Sequence, residues 1–202
     1  PHMRQGDRNI PVRSDSDRVP ATTMDPAGGV RCSLDDMLRW VTAWLKPQGA
    51  AVSWLSKEQR EAVWAPQMPM PVSRRMREWD NSHFSAYGYG WRLADVDGVF
   101  KVSHTGTLMG MYSLVTMLPD KGVGFVVLIN GEGEAARTVL NQVLVKHYTR
   151  PGEAPPVAHY ARLLEQEDAA RPAAEKAPDT SARRRATADE LAPRLGVYRD
   201  PW

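Results

Sequence analysis

The stretch Val102-Ser103-His104-Thr105-Gly106-Thr107 decides how this 202-residue chain is interpreted. It places a basic residue, a hydroxyl and a glycine in a row, after a run of residues typical of a strand. The basic side chain supplies positive charge, the threonine supplies a hydroxyl, and the glycine lets an acyl group approach the backbone. The triplet therefore indicates a strand that faces a substrate.

Strand signals surround this stretch on its N-terminal side. Tyr87–Leu93 reads as one strand rich in aromatic residues, and Asp97-Gly98 is a typical hairpin turn. Val99–Ser103 then reads as the returning strand, which delivers His104 to its end. This part of the chain is predicted to form an antiparallel hairpin.

The same pattern repeats on the C-terminal side. Met111–Leu118 reads as a strand and Pro119–Gly122 as a turn. Val123–Asn130 is nearly all apolar, as a central strand buried on both faces requires. Together the four runs predict an antiparallel meander.

Helices are predicted on both sides of the meander. Ser33–Asp36 and Ser56–Gln59 have the form of helix N-terminal capping boxes, although the first has Asp where Glu or Gln is usual. After Asn130, apolar residues recur at helical spacing: Ala136, Val139, Leu140, Val143, Leu144 and Tyr148. The predicted fold class is therefore α+β, an antiparallel sheet flanked by helices.

Five stretches, taken in order, resemble one family. They are Pro26–Ser33 before a helix with Asp36 and Trp40, Tyr87–Trp91, His104-Thr105-Gly106 followed by Gly110, Leu118-Pro119-Asp120, and Val127–Asn130. The family is that of the serine β-lactamase-like hydrolases, which includes penicillin-binding DD-peptidases, class C β-lactamases, D-aminopeptidases and carboxylesterases. The resemblance covers most of residues 1–150 and depends on the order and spacing of the pieces.

The resemblance implies a role for several residues. His104 replaces the usual lysine of the strand triplet and would polarise the catalytic hydroxyl network, and Thr105 would bind a substrate carboxylate or carbonyl. The amide of Thr107 would donate to the tetrahedral oxyanion. Gly106 would admit the substrate backbone, and Gly110 and Tyr112 are assigned to substrate binding with it. No cofactor and no metal is expected.

The family nucleophile is missing from the sequence. A serine three residues before a lysine brings the two side chains onto one helix face, but no lysine of this chain has that serine. No Tyr-x-Asn or Ser-x-Asn motif and no Gly-x-Ser-x-Gly elbow occurs either. Cys32 with His104 as its base is a further candidate, set against the commoner buried structural cysteine.

We expect the chain to be the C-terminal half of a hydrolase domain, incomplete at its N-terminus, because the family places both missing motifs upstream. Residues 1–150 are assigned to that half domain and 151–188 to a linker rich in proline, alanine and charge. Within the linker, Val157–Ala170 could form a short helix with no evident partner for its apolar face. Residues 189–202 resemble the start of a small β-domain.

Composition excludes several classes of protein. The net charge of +2 gives no basic face for nucleic acid, and no apolar run reaches the roughly 18 residues that span a membrane. A single cysteine forms no internal disulfide and suits either cytoplasm or periplasm. The resemblance alone favours a periplasmic or secreted protein.

The predicted function is therefore part of a serine hydrolase that forms an acyl-enzyme with an ester, amide or β-lactam, this chain alone being inactive. Its expected partners are a small-molecule or peptide acyl substrate and the missing N-terminal half of the same protein. The alternative is a non-catalytic binding or interaction module that keeps the fold without the chemistry.

Overall fold

The computed structural model describes residues 1–12, 25–46, 55–171 and 182–196. The chain forms two compact units, Pro1–Asp168 and Ala169–Trp202. The strands are β1 (His2–Gln5), β2 (Arg8–Pro11), β3 (Met68–Pro69), β4 (Ser85–Tyr87), β5 (Arg92–Val96), β6 (Val99–Leu108), β7 (Met111–Leu118) and β8 (Val123–Ile129). The helices are α1 (Asp25–Gly28), α2 (Leu34–Leu45), α3 (Lys57–Val63), α4 (Arg74–Asp80), α5 (Glu134–Thr149), α6 (Val157–Ala170) and α7 (Ala188–Leu191).

Six strands form one antiparallel sheet in the order β3-β4-β5-β6-β7-β8, and β1 and β2 form a separate hairpin. Each strand pairs with the next one along the chain, so the predicted meander and the α+β class are confirmed. Asp97 and Gly98 have φ values of 50° and 80°. Positive φ at both central residues is the geometry of the tight hairpin turn that the dipeptide predicts.

The single aromatic-rich strand predicted over Tyr87–Leu93 is wrong, because the chain turns inside it. Gly90 has φ +76°, and the Gly88 amide donates to the Trp91 carbonyl at 2.8 Å. A Cβ on Gly88 would lie 2.5 Å from the carbonyl oxygen of Val63, so helix α3 approaches too closely for a side chain there. The glycines therefore separate β4 from β5 and make them antiparallel neighbours.

Strand β6 is longer than predicted. It runs from Val99 to Leu108, and His104 lies in its middle rather than at its end. The residues after His104 pair with β7 down to Leu108 opposite Met111. The whole triplet therefore belongs to a hydrogen-bonded strand.

Strand β8 is not the central strand that its composition predicts. It is the last strand of the sheet that the structure describes, and most of its residues are half-exposed. Helix α2 packs against Gly124 on one face, and Tyr148 of α5 stacks on Phe125 on the other. The described residues therefore leave part of the apolar surface of β8 exposed.

The core on one face of the sheet lies under α2. Val41 and Trp44 pack with Leu93, Val102 and Met117 of the sheet. Ser33 caps α2 by accepting from the Asp36 amide, and Ser56 and Gln59 form a complete capping box at α3. Both predicted helix starts are confirmed.

A second core lies among α4, α5 and α6. Tyr160 and Leu164 of α6 are buried against Trp79 and Val139. The apolar face of Val157–Ala170 therefore has a partner, although sequence analysis found none. The first compact unit extends to Asp168, into the segment predicted as a linker.

The second unit is described over residues 169–171 and 182–196. Thr187 and Glu190 form a capping box at α7, and Ala192–Arg194 continue as a short 3-10 turn. Residues 188–194 are therefore helical, whereas residues 189–202 were expected to begin a small β-domain. Residues 197–202 of that expected β-domain lie outside the described residues.

Candidate active site

Strand β6 carries four of the predicted site residues in a row, and its pleat distributes them over both faces. Side chains alternate along a strand, so His104 lies on the face of Val102, which packs under α2. Thr105 and Thr107 lie on the opposite face, where Thr107 contacts Arg137 of α5. The structure therefore brings the four residues together along one strand but does not gather their side chains on one side.

The edge of β6 next to these residues is open. Pairing with β5 ends where Arg92 meets Ser103, and no described strand continues beyond that point on the β5 side. Leu108 pairs with Met111 across the two-residue turn at Met109-Gly110. The alternation of an antiparallel ladder then directs the Thr107 amide away from β7 and toward the open edge. This is the direction that the expected oxyanion donor requires.

His104 is half-buried and bonded to Tyr87. Its Nε2 lies 2.8 Å from the Tyr87 hydroxyl, and the two rings meet edge to face with centroids 6.1 Å apart. Burial lowers the pKa of His104 below its ordinary value, and the positive charge of Arg92 lowers it further. Both effects disfavour the imidazolium. A neutral imidazole can exchange a hydrogen bond with a hydroxyl network.

A glycine at position 106 has a structural explanation as well as the predicted functional one. A Cβ at this position would lie 2.3 Å from the Oγ of Ser113 on β7. The two residues face each other in the register of the sheet. A side chain at position 106 would therefore displace the Ser113 hydroxyl, whatever approaches from the open edge.

Gly110 packs against the β1–β2 hairpin. It has φ +72° in the β6–β7 turn, and a Cβ there would meet the backbone nitrogen and oxygen of His2 at 2.8 and 2.9 Å. The His2 amide donates to the Gly110 carbonyl, which holds the β1–β2 hairpin against the turn. This packing accounts for the glycine without a substrate.

Sequence reasoning missed Arg137 of α5. One of its terminal nitrogens donates to the Gly106 carbonyl at 2.8 Å and to the Thr107 hydroxyl at 2.9 Å. The guanidinium also lies 5.0 Å from the centroid of the Tyr112 ring. The ring of Tyr112, a residue predicted to bind substrate, thus packs against the Arg137 guanidinium. Arg137 stands 31 positions from Gly106, and no local pattern connects them.

The family resemblance includes Tyr87 but implies no role for it, and Arg92 lies outside the matching stretches. Arg92 lies over the Tyr87 ring, with 5.7 Å between its guanidinium carbon and the ring centroid. The turn at Gly88–Trp91 is what brings these side chains next to β6. A single extended strand, as predicted, would not have indicated this cluster.

The buried charges away from the His104–Thr107 segment form separate ion pairs. The Asp80 carboxylate accepts from Lys101 at 3.0 Å and from Gln142 at 2.5 Å, and Lys146 donates to Asp97 at 2.6 Å. These pairs connect the sheet to α4 and α5. They are part of the structural support of the strand that carries the site.

Cys32 is exposed, so the buried cysteine expected from its residue type is wrong. Within the described ranges, no three His, Cys, Asp or Glu side chains are grouped as metal ligands would be. In the same ranges no helix has the length and apolarity to cross a bilayer.

Comparison with known proteins gives one positive result. The family model described as Beta-lactamase matches residues 2–149, which include β6 and every contact of His104 and Arg137 described above. A search of curated proteins found no match. The match spans well over half of the 202 residues.

Proposed function

The chain belongs to the Beta-lactamase family, and from this premise we propose that it is part of a serine hydrolase that forms an acyl-enzyme. Family membership implies serine-hydrolase-like chemistry in general. We further propose that residues of β6 take part in the acylation step. The observation that carries it is the open edge of β6, where the Thr107 amide is unopposed by a described strand and His104 is held by Tyr87.

We place the nucleophile on polypeptide other than these 202 residues, because no Ser-x-x-Lys occurs in them. The apolar strand β8 supports this, since no described strand pairs with its outer edge. An unpaired apolar edge is a site for association with another strand. Further polypeptide that completes the sheet and carries the nucleophile accounts for both observations.

The proposed reaction makes use of the open edge of β6. The serine oxygen attacks the acyl carbon and its proton passes to the neighbouring lysine. The carbonyl oxygen becomes an oxyanion and accepts a hydrogen bond from the Thr107 amide, while the neutral His104 imidazole orients the hydroxyl network. The leaving group departs with a proton, and water hydrolyses the ester that remains on the serine.

The substrate is proposed only as a class: an ester, an amide or a β-lactam, all of which acylate serine in the same way. A periplasmic or secreted location is proposed on the resemblance alone. Without the nucleophile, these 202 residues by themselves are expected to be inactive. The required partner is the segment that bears the Ser-x-x-Lys motif.

A covalent adduct tests the proposal. Protein that contains these residues together with the Ser-x-x-Lys segment is incubated with a penicillin and with an activated ester, and its intact mass is measured. We expect the mass to rise by one acyl group, and the 202-residue chain alone to stay unmodified. Absence of an adduct with any activated acyl donor contradicts the proposal.

The role of His104 is tested in the same assay. His104→Ala is expected to slow acylation while the domain stays folded, because it removes the imidazole that contacts Tyr87. His147→Ala is the matched control, since His147 is exposed on α5. Equal acylation rates in wild type and His104→Ala contradict this role.

The alternative is a binding module without chemistry, favoured by the missing nucleophile motif. It predicts reversible binding of an acyl compound with no change in mass. Mass spectrometry combined with calorimetric titration of the same compound separates the two functions.

A further inference from the structure

Arg137 is an unusual cation for its position. It is only 9% exposed, and no ion pair among the described residues includes it. Its polar partners are the Gly106 carbonyl and the Thr107 hydroxyl, and its flat face lies against Tyr112. A buried charge normally has a carboxylate partner. Here the charge is directed instead at one segment of β6.

The two hydrogen bonds converge on a single peptide unit. The Gly106 carbonyl and the Thr107 N–H belong to the same planar group, because the peptide bond joins them. A donor on the carbonyl oxygen restrains the plane, and with it the direction of the N–H on the opposite side. The bond to the Thr107 hydroxyl fixes the neighbouring side chain, so the segment is held at two points.

The same contact strengthens the N–H as a donor. A positive charge at the carbonyl oxygen withdraws electron density from the peptide nitrogen, so the proton on that nitrogen binds an anion more strongly. Hydrogen bonds linked in this way reinforce one another, most of all where the site is dry. Because no described carboxylate pairs with Arg137, its charge is free to act on the peptide.

We propose that Arg137 is a positioning residue for the oxyanion site, acting through the Gly106–Thr107 peptide. It aims the Thr107 amide at the open edge of β6 and raises its strength as a donor. The inference rests on the proposed acyl-enzyme function, because only a developing oxyanion makes use of that amide.

The catalytic test uses protein that also carries the nucleophile. Arg137→Met removes the charge and both hydrogen bonds. Arg137→Lys keeps the charge but places it on one ammonium group instead of the planar guanidinium. We expect the acylation rate constant for an activated ester to fall about tenfold in Arg137→Met, less than the 10²–10³ loss typical when an oxyanion donor is removed. KM should stay within about twofold, because the amide acts on the transition state.

Two further measurements separate positioning from a merely structural role. The affinity for a boronic acid, whose serine adduct mimics the tetrahedral oxyanion, should fall in parallel with the rate. Arg137→Lys should recover part of both losses. Arg150→Met is the matched control, because Arg150 lies at the end of the same helix and pairs with Glu153 on the surface.

A spectroscopic test uses the 202-residue chain itself and needs no activity. In wild type the Gly106 carbonyl carbon and the Thr107 amide proton should both be deshielded by the arginine. In Arg137→Lys and Arg137→Met both NMR signals should move upfield, by more than those of Val102 and Ser103 in the same strand.

The outcomes separate a failure of the proposed acyl-enzyme function from a failure of the proposed role of Arg137. If wild type forms no acyl-enzyme, the proposed function fails, and the NMR shifts alone decide whether Arg137 polarises the peptide. The inference is overturned if wild type is acylated and a folded Arg137 variant keeps the wild-type acylation rate constant. It is also overturned if only KM changes in that variant. Should Arg137→Met not fold, Arg137→Lys decides by the same criteria.

Discussion

The hydroxyl of Tyr87 and the Nε2 of His104 lie 2.8 Å apart, which joins the end of β4 to the middle of β6. Strand β5 lies between these two strands in the sheet. The bond is made where β5 has not yet begun, at the turn that Gly88 and Gly90 allow. The pair thus marks the position where the sheet opens beside the candidate site.

Removing the Tyr87 hydroxyl should weaken this connection. Tyr87→Phe deletes one hydrogen bond and leaves the ring in place, so the free energy of unfolding should fall by about 1 kcal/mol. Urea denaturation measures it. Tyr89→Phe is the control, because Tyr89 is 63% exposed and its change should stay within about 0.5 kcal/mol. Equal stability of the two variants would show that the bond contributes nothing.

The titration of His104 should depend on Arg92. The folded pKa is lowered, first by burial and then by the arginine charge, so Arg92→Gln should raise it but leave it below the ordinary value of 6.5. The imidazole proton signals measure this in a pH series by NMR. Arg77→Gln, on the exposed side of α4, is the control. An unchanged titration in Arg92→Gln excludes the electrostatic contact.

The same shift predicts how stability changes with pH. Because the folded pKa lies below the unfolded value of about 6.5, the unfolded chain takes up the proton first as the solution is acidified. The contribution of the neutral imidazole is complete above about pH 6.5 and is lost as the pH falls toward the folded pKa. Replacing His104 by Gln should flatten this part of the stability profile.

Gly106→Ala should destabilise the sheet through one neighbour. The new Cβ lies 2.3 Å from the Ser113 Oγ but 3.6 Å from the Ser113 Cβ. We expect the single variant to lose about 1–2 kcal/mol, since overpacking forces a side chain from its place. The double variant with Ser113→Ala should regain most of this, as thermal unfolding of the four proteins of the cycle will show. Additive losses would place the strain in the backbone.

Leu164→Ala tests the packing of α6. The side chain is buried with Tyr160 against Trp79 and Val139, and a cavity there should lower the free energy of unfolding by about 2–3 kcal/mol. Arg162→Ala, at an exposed position of the same helix, should change it by less than about 0.5 kcal/mol. A loss no greater than that of the control would mean that the helix is not part of the core in solution.

Local signals in the sequence were reliable where the cause is local. Asp97-Gly98 forms its turn because both residues accept positive φ, and Ser33 and Ser56 cap helices because their hydroxyls reach an amide three residues on. The glycines at 88 and 90 were the exception. They were read as part of a strand, whereas the approach of α3 and a positive φ required a turn.

Contacts between distant parts of the chain could not be predicted in the same way. The bond from Arg137 to Gly106 and that from Tyr87 to His104 join residues whose spacing follows no helical or strand period. The packing of α6 on Trp79 depends on where α4 and α5 lie. Each of these follows from the fold and cannot be read from a window of sequence.

The order of turns, caps and apolar runs by itself determined the antiparallel meander, the flanking helices and the strand that leads to His104, because backbone preference and hydrophobic periodicity act over a few residues. Only the tertiary structure decided that β6 has an open edge, that Tyr87 contacts the imidazole and that Arg137 contacts the Gly106–Thr107 peptide. Those features depend on where strands end and which helix packs over which strand, and both are set by the packing of the whole domain.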